Sequence, residues 1–169
     1  MVLLWKEGGA YSLVKVRVGA TEPPHTLVED CVGGTPAWSP TGEWIAYWCD
    51  EGPGQGIWLV SPDGNEQRLL ARISGWGSLW SRDGKTLYTV RTGGEENDQL
   101  VAVDVGTGAV TTIREFSEDV NFGAPWSPNN RLTLATDGKS FSATVLKVRM
   151  DLWLLEGFKQ RKGLLDRLR

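Results

Sequence analysis

The chain has 169 residues, a net charge of −3 and 40% hydrophobic residues, enough for a sizeable core within one domain. Its uncharged stretches are short and interrupted by glycine and proline, so no membrane-spanning segment is predicted. Twenty-one Gly and eight Pro separate short segments rich in Val, Leu, Thr and Trp, a composition typical of an all-β protein.

The first predicted strands belong to a partial unit over residues 1–30. Residues 13–16 predict one strand, Gly19 and Ala20 a hairpin turn, and His25–Val28 the returning strand. These segments match the third and fourth strands of the units that follow. The first strand of this unit is therefore expected to be missing.

The clearest unit covers residues 36–71. Its predicted strands, in order, are residues 36–39, 44–49, 57–61 and Gln67–Ala71. Pro40-Thr41-Gly42 and Pro62-Asp63-Gly64 form the tight turns, because Pro presets φ and Gly accepts a positive φ. The second strand is nearly all apolar, which predicts that both of its faces are covered.

The next unit covers residues 78–114 and repeats this pattern. Its predicted strands are residues 79–81, 86–90, 99–104 and 109–113. The turn Asp83-Gly84 separates the first two, and a turn ending at Gly108 separates the last two.

The last unit, residues 131–158, has two conceivable registers. Trp126-Ser127-Pro128 looks like Trp38-Ser39-Pro40, but it lies too far from the apolar strand 151–155. Starting instead from Gly138 gives an interval of 14 residues to Leu152, against 15 and 16 residues from Gly42 and Gly84 to their strands. Strands are therefore predicted at 131–135, 140–146 and 151–155, after a long connection over 118–130, and the fourth strand is missing.

A glycine turn followed at this interval by an apolar strand indicates a modular β architecture. The nine Trp residues are predicted to fill the spaces between units. Cys31 and Cys49 allow one disulfide, but free, buried thiols are expected, with a bridge as the alternative.

Catalytic motifs are absent from the sequence. There is no Gly-x-Ser-x-Gly elbow, no phosphate-binding glycine loop and no kinase signature. The single histidine, His25, follows two prolines at a strand entry, where a solvated side chain is expected. The sequence therefore predicts a non-enzymatic protein with no cofactor and no metal site.

The run Pro36-Ala37-Trp38-Ser39-Pro40, the strand around Trp58 and the Pro62-Asp63-Gly64 hairpin resemble the WD-repeat-like blades of bacterial TolB-type β-propellers. The closing segment, from Asp137-Gly138-Lys139 to Phe158, resembles the last blade of propellers joined to Ser/Thr protein kinases or winged-helix DNA-binding regulators. The resemblance implies a partial propeller of about three and a half four-stranded antiparallel blades, part of a longer chain. It also implies a periplasmic or other extracytoplasmic location.

Function is expected on the side of the blades that carries the longer loops between strands 2 and 3 and the connections between units. Acids outnumber bases on that side. The predicted binding rim consists of Asp50, Glu51, Glu95, Glu96, Asp98, Glu118 and Asp119. Such a rim would attract a basic peptide or a cation by long-range electrostatics; an ordinary solvated surface is the alternative.

The sequence favours a protein- or ligand-binding scaffold or sensor, with no nucleic-acid partner. Two alternatives stay open: the accessory propeller of a prolyl-oligopeptidase-type serine peptidase, and a small protein that completes its ring by dimerisation. Open blade edges predict self-association. Residues 159–169 predict a short basic helix that covers the last blade, with a nucleic-acid or membrane contact as the alternative.

Overall fold

Short strands joined by glycine turns account for nearly all of the described structure. The computed structural model describes residues 1–7, 10–19, 21–29, 33–49, 54–93, 96–117, 132–135 and 140–143. Within these ranges the chain forms thirteen β-strands in four antiparallel sheets, and no α-helix. The all-β expectation is confirmed, and the predicted helical tail lies outside the described residues.

The sheets follow one another along the chain, and hydrogen-bonded neighbours are also neighbours in sequence. The first sheet contains β1 (Val2–Glu7), β2 (Ala10–Lys15) and β3 (His25–Val28). The second contains β4 (Gly33–Trp38), β5 (Ile45–Cys49), β6 (Gly56–Val60) and β7 (Gln67–Ala71). The third contains β8 (Gly75–Trp80), β9 (Thr86–Gly93), β10 (Glu96–Asp104) and β11 (Val110–Glu115). The fourth contains β12 (Leu132–Leu134) and β13 (Phe141–Ala143).

The strands predicted for the two complete units are all present, with ends displaced by up to four residues. The largest displacement is at β8, which starts at Gly75 rather than at residue 79. The first sheet contains a strand, β1, that the sequence did not predict. It pairs with β2 from Val2 opposite Lys15 to Glu7 opposite Ala10, and it occupies the place of a second strand.

The backbone hydrogen bonds of the last unit agree with the first two strands predicted for it, residues 131–135 and 140–146. Ala135 N donates to Ser140 O at 2.8 Å, in the way that Ser39 N donates to Trp44 O and Ser81 N to Thr86 O, each at 2.8 Å. The connection between Ala135 and Ser140 therefore corresponds in position to the turns that follow Ser39 and Ser81. The alternative start at Trp126, the connection 118–130 and the strand 151–155 lie outside the described residues.

Apolar residues alternate between the two faces of β5, and both faces are covered. Ile45 and Tyr47 pack with Leu13 and Leu27 of the first sheet. Ala46 and Trp48 belong to a cluster that includes residues of the third sheet. All five residues of β5 are buried, which confirms the expectation of a strand covered on both faces. Burial also raises the pKa of Tyr47 to about 12.

Tryptophans fill the spaces between neighbouring sheets. The six whose side chains are described all belong to, or pack against, the three apolar clusters between sheets: Trp38, Trp44, Trp48, Trp58, Trp76 and Trp80. The predicted role of tryptophan is confirmed for these six. At the inner edge of the sheets β4 contacts β8 and β8 contacts β12, so the first strands stand side by side.

The expectation of free cysteine thiols is wrong at Cys49. It ends β5, is 1% exposed and is disulfide-bonded, whereas the sequence favoured a free thiol. Cys31, which lies outside the described residues, is the only other cysteine of the chain. The register explains why a bridge forms here: Gly33, two residues after Cys31, pairs with Trp48, the residue before Cys49. A cysteine spacing carries no information about such a pairing.

Candidate binding face

The antiparallel order of the strands divides the connections between two faces. The turn face carries the connections β2–β3, β4–β5, β6–β7, β8–β9 and β10–β11. The loop face carries the connections β1–β2, β5–β6 and β9–β10 and those that lead from one sheet to the next. The expectation of a longer loop between strands 2 and 3 is wrong for the third sheet, because β9 ends at Gly93 and β10 begins at Glu96. The two faces differ in how their polar side chains are used.

On the turn face, polar side chains form hydrogen bonds within their own turns. Ser81 donates through Oγ to Asp83 Oδ1 at 2.7 Å and accepts from Thr86 N at 2.9 Å. Asp83 Oδ1 also accepts from Lys85 N at 3.1 Å. The turn from Ser61 to Glu66 repeats this pattern with Asp63. In the turn that starts at Ser39, Thr41 takes the place of the aspartate.

These hydrogen bonds favour the ionised carboxylates. The Ser61 hydroxyl, and then the Asn65 amide groups, lower the pKa of Asp63 to about 2. The hydroxyls of Ser81 and Thr107 lower the pKa values of Asp83 and Asp104 in the same way. These three aspartates therefore stabilise the turns in which they lie.

The predicted acidic rim is only partly within the described residues. Glu96 begins β10, and Asp98 lies two residues further along the same strand and is half-buried. The remaining members lie outside the described residues: Asp50, Glu51, Glu95, Glu118 and Asp119. The rim as a whole stays a prediction.

The structure adds an acid of the loop face that was not part of the predicted rim. Glu115 lies opposite Gln99 in the β10–β11 pair, and its Oε1 accepts from Asn97 Nδ2 at 3.2 Å. Phe116 N donates to the carbonyl oxygen of Asp98 at 2.9 Å, which fixes the end of β11 beside β10. Strand pairing thus places Glu115 beside the segment that contains Asp98, a proximity that sequence distance hides.

Basic side chains offset part of this charge. Arg91 donates to Gln99 Oε1, which also accepts from Thr112 Oγ1 at 3.2 Å. Arg72 and Arg114 are exposed. Among the described residues of the loop face, acids and bases are nearly balanced, so the acidic excess of this face depends on the loops outside the described ranges.

Hydrogen bonds hold the β5–β6 loop in place where it joins the sheet. Gln55 Nε2 donates to Ser74 Oγ at 3.0 Å and so joins the β5–β6 loop to the β7–β8 connection. Trp58 Nε1 donates to the carbonyl oxygen of Gly54 at 2.7 Å. A Cβ at Gly54 would lie 3.5 Å from Cys49 Sγ, so the Cys49 side chain packs beside the same loop.

His25 is exposed at the start of β3, as expected for a solvated side chain. Within the described ranges, no group of three or more His, Cys, Asp or Glu side chains could hold a metal ion. Nor does any helix in that part of the chain have the length and apolar character needed to cross a bilayer.

Solved structures share the fold of these successive antiparallel sheets. TolB from Acinetobacter baumannii is 20% identical, with a TM-score of 0.58 over 80% of this chain and 34% of that one. A putative TolB from Agrobacterium tumefaciens is 16% identical, with a TM-score of 0.59 over 68% of this chain and 45% of that one. This chain has the fold of part of a TolB-type β-propeller. Each sheet is therefore a propeller blade, complete or partial, which confirms the fold expected from the sequence.

A further similar structure is a nidogen–laminin complex, 15% identical, with a TM-score of 0.61 over 85% of this chain and 52% of that one. The chain thus spans between a third and about half of the propeller chains that it matches. No family model and no curated protein matches the sequence.

Proposed function

We propose that this chain is a non-enzymatic binding module, a scaffold or sensor, whose protein or peptide partner docks on the loop face. The observation that carries the proposal is the difference between the two faces. The serines and aspartates of the turn face are hydrogen-bonded within their own turns. The longest connection, from the end of β11 at Glu115 to the start of β12 at Leu132, belongs to the loop face, and scaffold proteins commonly bind partners through such loops.

The chemistry of the loop face favours a basic partner. Glu96, Asp98 and Glu115 lie on the neighbouring strands β10 and β11, and the other predicted rim acids belong to connections of the same face. Acids gathered on one face raise the local concentration of a cationic partner and accelerate its association at low salt. A protein–protein complex among the similar structures also supports a binding role.

The test uses a fluorescent Lys/Arg-rich peptide and its Glu-rich counterpart as probes, with binding followed by fluorescence anisotropy at low and high salt. One triple variant removes three loop-face charges: Glu96→Gln, Asp98→Asn and Glu115→Gln. A matched variant removes three charges from exposed acids of the turn face: Glu22→Gln, Glu43→Gln and Glu66→Gln. Both sets spare the aspartates that the turns require.

We expect the basic peptide to bind, its affinity to fall at high salt, and the loop-face variant to weaken it by roughly tenfold. The turn-face variant should retain the original affinity, and the Glu-rich peptide should not bind. Equal losses in the two variants, or an affinity independent of salt, would refute docking of a basic partner on the loop face.

A further inference from the structure

Arg91 and Gln99 lie opposite each other on β9 and β10, at the end of the third blade that belongs to the loop face. Side chains alternate along a strand, so Arg91 lies on the same face of the sheet as Leu87, and Gln99 on the same face as Val101. Leu87 and Val101 belong to the apolar cluster shared with the second blade. Both polar side chains therefore lie on the side of the third blade that faces the second blade.

The blade itself does not require a charged residue at this place. Counted from the turn that precedes each strand, Arg91 in the third blade corresponds to Cys49 in the second. Cys49 pairs with Gly56, whereas Arg91 pairs with Gln99. Because a pair of small, uncharged residues occupies the same place in the second blade, strand pairing does not explain the arginine of the third.

The hydrogen bonds of Gln99 leave N–H groups without an acceptor in the protein. Arg91 donates to Gln99 Oε1, and Thr112 Oγ1 donates to the same oxygen at 3.2 Å. A guanidinium can only donate, so the amide presents its oxygen to Arg91 and keeps its Nε2 group available. Among the described residues, neither Gln99 Nε2 nor the remaining N–H groups of Arg91 have an acceptor. These two half-buried side chains therefore suit a ligand that accepts hydrogen bonds.

Arg91 also lacks a close counter-charge in the part of the chain that the structure describes. No carboxylate there forms an ion pair with it. Glu115 lies one strand further across the sheet, beyond Gln99, and its Oε1 accepts from Asn97 at 3.2 Å. Partial burial makes an unpaired guanidinium costly, because water solvates it less. A bound carboxylate would supply the charge and would accept parallel N–H bonds in the geometry that a guanidinium favours.

The connection from the second blade borders this place and contains a further cation. Gly75 lies opposite Arg91 in the β8–β9 pair, and Thr92 N donates to the carbonyl oxygen of Ser74 at 3.0 Å. Arg72 precedes these residues in the same connection and is exposed. Cations from two neighbouring blades thus lie at the loop-face end of the interface between them, which favours a negatively charged ligand group there.

We propose that Arg91 and Gln99 bind a carboxylate of the partner, at the loop-face end of the interface between the second and third blades. We call this pair of side chains the carboxylate site. It rests on the proposed docking face only for the identity of the partner, a basic peptide that also presents a C-terminal or side-chain carboxylate. Binding of a carboxylate to the site can be measured without that partner.

The first test titrates the full chain with N-acetylglycine, which has one carboxylate, and with N-acetylglycinamide, its neutral counterpart. NMR follows the arginine side-chain N–H signals and the backbone amides of β9 and β10. Arg91→Gln removes the cation, and Gln99→Glu keeps it but places a carboxylate of the chain beside it. Arg114→Gln is the matched control, because Arg114 is exposed and lies opposite Leu100, on the other face of the sheet. Circular dichroism verifies that all variants are folded.

We expect N-acetylglycine to shift the Arg91 signals saturably, with a dissociation constant in the millimolar range, and N-acetylglycinamide to leave them unchanged. Arg91→Gln and Gln99→Glu should each weaken binding of N-acetylglycine by roughly tenfold or more, and Arg114→Gln should bind it as the wild type does. A wild type that responds equally to the two compounds would overturn the proposal. So would a Gln99→Glu variant that binds N-acetylglycine as tightly as the wild type.

A second test separates the carboxylate site from the docking face. The Lys/Arg-rich peptide is compared in three forms: with a free C-terminus, with an amidated C-terminus, and amidated with one internal aspartate. Tighter binding of the first form, by roughly tenfold over the second, indicates a C-terminal carboxylate, and of the third form a side-chain carboxylate; either preference should disappear in Arg91→Gln.

The two tests together distinguish which proposal fails. Binding of N-acetylglycine without binding of any peptide would leave the carboxylate site standing and refute the docking of a basic partner. Equal binding of all three peptides would leave the docking face standing and refute a partner carboxylate at Arg91.

Discussion

The outer strands of the second and third blades, β7 and β11, differ in the burial of one apolar side chain although the two strands have the same irregularity. Leu70 in β7 and Ile113 in β11 are both apolar, and both are the extra residue of an outer strand. Leu70 is 5% exposed, whereas Ile113 is 46% exposed. The difference lies in the neighbouring blade: Leu70 meets the turn that contains Gly108, and no described turn covers Ile113. Burial in this fold is therefore a property of the interface between blades rather than of the blade.

The largest contrast should appear when Leu70 and Ile113 are each replaced by alanine. Leu70→Ala removes buried contacts to two blades and should lower the free energy of unfolding by about 2–5 kcal/mol. Ile113→Ala, at low protein concentration, should lower it by less than about 1 kcal/mol. Urea unfolding of the two variants and the wild type measures both values. Similar losses would mean that the two positions are covered equally in solution.

A second pair of variants separates backbone strain from close packing. Gly42 and Gly108 have nearly equal positive φ values, +78° and +75°. An alanine costs about 1–2 kcal/mol at either position, because an L side chain disfavours this conformation. A Cβ at Gly42 meets no described atom within 4 Å, whereas one at Gly108 overlaps Leu70 O. We expect Gly108→Ala to lower the free energy of unfolding by about 1–3 kcal/mol more than Gly42→Ala does, because the added methyl group overpacks this site.

The measurement is again urea unfolding, with the midpoint and slope recorded for each variant. Equal losses for Gly42→Ala and Gly108→Ala would indicate that the turn of the third blade does not press on the second blade in solution.

The smallest expected effect is a difference in the pH dependence of stability between the turns that contain an aspartate and the turn that contains Thr41. The folded-state pKa values of Asp63 and Asp83 are lowered by hydrogen bonds, to about 2 for Asp63. The unfolded chain therefore binds more protons than the folded chain at acidic pH, and stability is lost as the pH falls below the usual aspartate pKa of about 4 towards about 2. The turn with Thr41 has no carboxylate at that position and makes no such contribution.

Urea midpoints between neutral and acidic pH test this comparison. Asp83→Asn should flatten the loss of stability over that range, and Thr41→Asp should steepen it. Unchanged pH profiles in both variants would show that the turn carboxylates do not contribute to acid sensitivity.

Most strand positions could be predicted because the signals are local. A glycine of positive φ and a serine that binds its own turn fix where strands end, and those groups lie within six residues of one another. The turn after Leu134 could be identified by the same interval, although Trp126 offered a competing start. The strand β1 escaped prediction because no glycine turn of the repeating type precedes it.

The candidate binding face could be predicted only in outline. Alternation of the connections placed Glu96 and Asp98 on the loop face, since that follows from chain order in an antiparallel sheet. The contact between Asn97 and Glu115 depends on the register of β10 against β11, eighteen residues apart in sequence. Its bulge displaces that register by one residue, and composition does not reveal such a shift.

The sequence by itself determined an all-β chain of repeated blades, because turn chemistry and apolar alternation act over a few residues. Only the tertiary structure decided which apolar residues are buried between blades. Leu27, Leu70 and Ile113 look alike in sequence, yet their exposure depends on a turn contributed by another blade. The same holds for the disulfide at Cys49, which forms because β4 and β5 pair. Contacts between distant segments are set by packing, and local sequence does not encode them alone.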